Sequence, residues 1–216
     1  GTRDRIRTRS RVLTMEEIDR WMAQAPYHLR VAIALAVYAP KLRLGNILAL
    51  RFGKQIDAAL TTIRVTDHKA EATAPPLVIP IVDELRALLT FVRTQNRTAW
   101  VVEWQGGGVQ SVKSAVRASV LAAGFVHGRT AEDGVTFHTL RHSIATLITT
   151  MPGVSERMRA EVMGQTIQTA QKYTHLSGQH QVAAHAEIAA RLPVGRAIVG
   201  GIFGGRAAPT AAPGDG

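Results

Sequence analysis

No cysteine occurs anywhere in the 216 residues. That excludes disulfides, thiolate zinc sites and cysteine nucleophiles together. No apolar run approaches the roughly 20 residues that a membrane-spanning helix needs, and no secretory signal opens the sequence. The expectation is a cytoplasmic protein with no membrane partner. There is no Gly-rich phosphate loop for a nucleotide, no carboxylate cluster for magnesium and no internal repeat. Nothing therefore points to a cofactor, a resident metal or a small-molecule substrate. The first residue is Gly1 rather than Met, as expected for a piece of a longer chain.

What is present suits one globular domain with a sizeable core: 46% of residues are hydrophobic and 19% charged. Lys and Arg number 26 against 16 Asp and Glu, a net charge of +10. Such a surplus favours a polyanionic partner, nucleic acid before membrane, although solubility alone can account for it. The opening "RDRIRTRSR" places Arg3, Arg5, Arg7, Arg9 and Arg11 at alternate positions. An extended chain would line them along one side as a basic strip; a solvated tail is the other reading. Residues 1–11 are accordingly set apart as a basic linker. Residues 12–192 form the domain, and the Gly-, Ala- and Pro-rich stretch 193–216 is expected to be a disordered tail.

Within the domain, "TMEE" is a capping box in which Thr14 and Glu17 can satisfy each other's backbone donors. The helix it opens should bury Ile18, Trp21 and Met22. The apolar segment "HLRVAIALAVYA" must stop before Pro40, and a third helix carries Ile47, Leu48 and Leu50. "TTIRVTD" and "PLVIPIV" are short and β-branched, which predicts an antiparallel pair across the polar stretch "HKAEATAP". Helices are expected at about 83–94 and 111–123, with "AWVVEW" between them as a strand or a turn leading into Gly106–Gly108. From residue 136 the pattern is helical: about 137–150, 155–163, 167–173 and 179–192. The fold class is mainly α with a small antiparallel β-sheet.

"TFHTLRHSIATLI", residues 136–148, holds the densest chemistry. On a helix Leu140, Ile144, Leu147 and Ile148 share one arc, while His138, Arg141 and His142 share the adjoining one. Three readings compete. His138 and His142 have the spacing of a helical zinc pair, but Thr139 stands where the metalloprotease pattern has Glu, and Arg141 would repel a dication. His142 reads as a satisfied structural histidine. His138 and Arg141 read as part of a phosphate site near a helix start, which needs partners from elsewhere.

Those partners emerge from a resemblance. "LTMEEI", "LAVYAPKLRLGNILALRF", "VTDHKAEATAPPLVIPI", "HTLRH" and "EVMGQTIQTAQKYTHL" resemble, in order, the blocks of the tyrosine recombinases of the phage integrase family. The likeness covers residues 12–192 and implies that family's catalytic-domain fold. It implies cleavage and rejoining of DNA strands through a 3′-phosphotyrosine, without metal or nucleotide cofactor, by a homo-tetramer on paired double-stranded sites. Arg43 and Arg141 would be the catalytic arginines, Lys69 the general acid on the β-hairpin, His138 a phosphate or proton partner and Tyr173 the nucleophile. Without the resemblance, Tyr173 reads as a helix-end tyrosine, Lys69 as an ordinary loop lysine, and His175 as structural or a minor phosphate contact. Arg43, after a Pro-Lys break in an apolar region, is expected to be partly buried.

The chemistry fits these residue types. Forked, permanently charged guanidinium groups match the oxygens of a phosphodiester gaining charge. A free tyrosine ionises near pH 10, so Tyr173 needs an electropositive setting. The departing 5′-oxygen needs a proton donor. Two departures from the family pattern stand out. Asn46 occupies the position three after the first arginine, where the family usually has an acidic residue. Gln165 follows Gly164 where the family has His or Trp, one residue nearer the tyrosine than usual. Losing one hydrogen-bond donor to the reacting phosphate typically costs about 2.7–4 kcal/mol of transition-state stabilisation.

These departures keep a rival reading in play, a DNA-binding module that has lost catalysis and occupies or regulates recombination sites. A type IB topoisomerase shares the chemistry but resembles the sequence less. A helical interaction protein would leave the ordered blocks as coincidence. The family also carries an N-terminal helical domain, for which the residues ahead of the first block lack the length, so Arg3–Arg11 would be a linker remnant along the DNA. "QVAAHAEIAARL" offers Val182, His185, Ile188, Ala189 and Leu192 either to a neighbouring subunit or to its own domain.

Overall fold

The computed structural model describes residues 11–66, 76–163 and 185–189. It is mainly helical, with two small antiparallel sheets. Helix α1, Met15–Gln24, opens with both capping-box bonds: Thr14 N–H donates to Glu17 Oε2 at 3.0 Å, and Glu17 N–H to Thr14 Oγ1 at 3.3 Å. It buries Ile18, Trp21 and Met22, as its spacing requires.

Helix α2, Tyr27–Tyr38, buries every residue from Val31 to Tyr38. A helix apolar on all sides belongs in the middle, and α2 packs against α1, α3, α4 and α6. Pro40 ends it, since the preceding residue cannot hold helical geometry. Ala39 caps it at φ −127°, and a tight turn leads into α3, Leu44–Ala49. Leu50, expected inside that helix, is its buried C-cap.

Strands β1 (Thr62–Val65) and β2 (Leu77–Pro80) pair antiparallel, with Ile63 opposite Ile79; both isoleucines are fully buried. Asp57 fixes the entry to β1. Its carboxylate accepts from the backbone N–H groups of Thr61 and Thr62, each at 2.8 Å, and from both hydroxyls. These bonds hold the carboxyl well below its ordinary range.

Helix α4, Asp83–Gln95, leads to the segment whose sequence reads as either strand or turn. It is a hairpin, β3 (Glu103–Trp104) with β4 (Gly107–Gly108), a second sheet beyond the one expected. Its two turn residues, Gln105 and Gly106, have φ of 52° and 80°, as the mirror-image hairpin turn requires. A Cβ on Gly108 would lie 2.6 Å from the Trp100 ring, so the strand passes too close to that indole for any other residue.

Helix α5, Lys113–Ala122, starts two residues later than its sequence suggests, and helix α6, Phe137–Thr150, follows a loop. Helix α7 spans Glu156–Met163. Two buried side-chain bonds tie distant segments: Trp21 Nε1–H donates to Ser119 Oγ, and Leu13 N–H to Ser143 Oγ, both at 2.8 Å. Residues 185–189 are helical, and Ile188 and Ala189 join the domain's own core, with His185 also buried. For these three the intramolecular alternative is the observed one. The rest of that helix, the helix expected at 167–173 and the tail lie outside the described residues. Among the described residues no helix is long and apolar enough to cross a membrane.

Candidate active site

Helix α6 is set up by a second capping box that the sequence reading missed. Thr136 is its N-cap, with Thr139 N–H donating to Thr136 Oγ1 at 3.3 Å and Thr136 N–H to Thr139 Oγ1 at 3.1 Å. The usual signature has Glu or Gln at the third helical position; a Thr there is the weaker signal that could have revealed it. Thr139 is buried, in keeping with a capping role and not a metalloprotease one.

The two expected arcs of α6 are both present. Leu140, Ile144 and Ile148 are fully buried, and Leu147 packs partly buried against the core. Ser143 joins the buried side, accepting from Leu13 and donating to the Thr139 carbonyl at 2.8 Å. On the adjoining side His138 is exposed and Arg141 half-buried. His142 is exposed as well, so it is not the packed structural histidine expected; it falls on the outer edge of the helix.

Arg141 is the centre of the arrangement. Its Nη1 donates to the carbonyl of Pro40 and, at 2.9 Å, to that of Leu42. Its Nη2 reaches the carbonyl of Met163 at 3.4 Å. One guanidinium thus joins the α2–α3 turn, helix α6 and the end of α7. A guanidinium has five N–H donors, and Nη1 spends both of its own. The Nε–H and the second Nη2–H form the remaining fork, without a partner among the described residues.

Arg43 follows the same turn as the N-cap of α3, in extended conformation at φ −80° and ψ 156°. Its side chain is exposed where partial burial was expected. It stays close enough to Arg141 to act on it. Burial, and then the like charge of Arg43, lower the pKa of Arg141. Both effects disfavour the cation in the unliganded protein, and an anion bound between the two guanidinium groups would relieve them.

The chain therefore brings Arg43, His138 and Arg141 to one region. Lys69, Gln165 and Tyr173 lie outside the described residues, as do Arg3, Arg5, Arg7 and Arg9. Asn46 sits in the first turn of α3, half-buried. Arg11 is committed within the domain. It pairs with Glu17 at 2.5 Å, and its guanidinium packs 5.9 Å from the Phe125 ring centre, on which Arg20 also stacks at 4.3 Å. Among the described residues no group of three His, Asp or Glu is placed to hold a metal.

Sequence reasoning also missed Lys113, His127 and Arg129, which line a cleft beside His138. They come from two separate segments with no shared motif, so only a basic loop before the "HTLRH" block could have hinted at them.

Comparison with known proteins gives a consistent result. Residues 11–180 match the family model described as "Phage integrase family". The chain is 31% identical over 186 residues to tyrosine recombinase XerD of Lacticaseibacillus casei, covering 80% of this chain and 61% of that protein. In fold it is similar to an integrase from mycobacterium phage Brujita, with a TM-score of 0.61 at 21% identity over 87% of this chain and 61% of the other. It is also similar to XerA recombinase, with a TM-score of 0.52 at 21% identity over 85% and 65%. The chain thus spans somewhat under two thirds of the length of the relatives it matches.

Proposed function

The chain belongs to the phage integrase family, and on that premise we propose that it is the catalytic part of a site-specific tyrosine recombinase acting on double-stranded DNA. The observation that carries this reading is the pairing of Arg43 with Arg141 across the α2–α3 turn. Arg141 is aimed by three backbone carbonyls, keeps a fork of donors in reserve, and is electrostatically poised for an anion.

In the reaction proposed, the Tyr173 oxygen attacks the scissile phosphorus and forms a 3′-phosphotyrosine bond. The bond to the 5′-oxygen breaks, and Lys69 gives that oxygen a proton. Arg43 and Arg141 hold the non-bridging oxygens as they gain charge, with His138 hydrogen-bonding the same phosphate. Because the phosphotyrosine conserves the energy of the broken bond, rejoining needs no nucleotide. Assembly as a homo-tetramer on paired sites completes the proposal.

The test is a nicked duplex made from sequence flanking the gene, assayed for an SDS-resistant protein–DNA adduct. The expected result is an adduct in the parent that both Tyr173→Phe and Arg141→Ala abolish. Salt-sensitive DNA binding without an adduct would replace this reading with that of a catalytically silent DNA-binding module, to which Asn46 and Gln165 would then be the clue. No DNA binding would overturn it altogether.

A further inference from the structure

Beside His138 opens a cleft of about 390 Å³. Its floor is apolar, with Val116 from α5 and Phe137 from α6, and its rim is basic, with Lys113, His127 and Arg129. No carboxylate lines it. Among the described residues, the side chains of Lys113, His127 and Arg129 have no ion-pair partner, whereas Arg11 and Arg86 do.

The basic rim is built and not incidental. Lys113 is the first residue of α5. His127 and Arg129 lie at the start of a loop that folds back on itself before α6. Val135 N–H donates to the Val126 carbonyl at 2.8 Å, and Gly134 N–H to that of Ala131 at 3.1 Å. A Cβ on Gly134 would meet the Gly128 carbonyl oxygen at 2.1 Å, so the two ends of the loop touch backbone to backbone. That closure fixes His127 and Arg129 beside the start of α6, where His138 emerges.

Lys113 and Arg129, two cations with no carboxylate among the residues lining the cleft with them, repel one another, and a polyanion removes that cost. On each strand of duplex DNA one phosphate recurs about every 3.4 Å along the axis. A cleft that shares His138 with the active site therefore meets the next one or two phosphates of the same strand. The apolar floor suits the deoxyribose between them.

We propose that the cleft edged by Lys113, His127 and Arg129 is a second phosphate site, gripping the DNA backbone beside the scissile phosphate. The proposal rests on the recombinase reading for the identity of the strand. Its task is registration: it fixes the strand so that the reacting phosphate arrives between Arg43 and Arg141.

The experiment measures equilibrium binding of a short fluorescent duplex against salt concentration for the parent, Lys113→Gln, Arg129→Gln and the control Arg93→Gln. Arg93 is an exposed cation of α4 outside the cleft. Each cleft variant should lower the log–log salt slope by about 0.9, which corresponds to binding about fivefold weaker near physiological salt. The control should change it markedly less. A second arm uses nicked duplexes with single neutral methylphosphonates near the nick. One such position should weaken the parent yet leave Arg129→Gln without further loss.

Slopes that match the control, or losses that simply add, would overturn the second site even if the parent forms its covalent adduct normally. Lowered slopes in the cleft variants of a parent that forms no adduct would keep the phosphate site and remove the recombinase reading. Absence of DNA binding by the parent would remove both.

Discussion

The Nη1 of Arg141 lies 2.9 Å from the carbonyl oxygen of Leu42, a hydrogen bond between residues 99 positions apart in the chain. It makes Arg141, the phosphate ligand of the proposed reaction, also a strut for the turn that carries Arg43. A lysine in its place would keep the charge but present one ammonium where a guanidinium now meets three carbonyls and keeps further donors. Arg141→Lys should therefore lose stability, about 1–3 kcal/mol by urea unfolding, because half-buried carbonyls lose their donor. It should also lower adduct formation by about 100-fold or more. Adduct formation at the parent's rate would show that charge alone matters at this position.

Ser143 holds the start of the domain to α6. Removing its hydroxyl leaves the Leu13 N–H buried without an acceptor, at a typical cost of about 1–3 kcal/mol. Ser143→Ala should shift the urea midpoint accordingly and speed hydrogen exchange at the Leu13 amide more than at amides within α2. Unchanged exchange at Leu13 would mean that the Arg11–Glu17 pair and the Phe125 stack suffice to hold the segment.

Asn46 stands in the first turn of α3, where a carboxylate would meet the positive end of the helix and lie close in sequence to Arg43. Asn46→Asp should raise stability by about 0.3–1 kcal/mol and speed adduct formation severalfold by orienting Arg43. A gain in stability with slower cleavage would mean that an added negative charge weakens the phosphate site more than it steadies the arginine.

His28 gives the domain a pH-dependent element. Its ring lies edge-on to Trp104, 4.8 Å between centres, with Nδ1 buried and unbonded among the described residues. Burial lowers its pKa in the folded state. The unfolded chain thus takes up a proton, near pH 6.5, before the folded one does. Stability from this group is fully present above that pH and declines as pH falls through the folded value. His28→Phe should flatten the loss of stability between about pH 7 and 5 seen by thermal melts. A parallel decline in both proteins would assign the acid sensitivity to another group.

Local rules carried much of the architecture. The Thr14–Glu17 box, the stop before Pro40, the β-branched pair around Ile63 and Ile79, and the apolar arc of α6 are all encoded within a few residues of where they act. The family was legible for a similar reason, since its blocks are short and ordered. The hairpin at Trp104 was ambiguous because its strands are only two residues each and its turn rests on positive φ at Gln105 and Gly106. The exposure of Arg43 and His142 was misjudged because hydrophobic surroundings in sequence need not be surroundings in space.

The sequence by itself determined the described helices to within a few residues, the Thr14–Glu17 cap, the paired strands β1 and β2 and the absence of thiol chemistry. Only the tertiary structure decided how those residues meet. The hydrogen bonds from Arg141 to Pro40, Leu42 and Met163, from Leu13 to Ser143 and from Trp21 to Ser119 join segments that no local spacing relates. The basic cleft likewise depends on a loop whose ends touch at Gly128 and Gly134. Helix propensity and hydrophobic period act over a few residues. A guanidinium's choice of carbonyls, and a cluster of like charges, exist only once the core has fixed the distances between them.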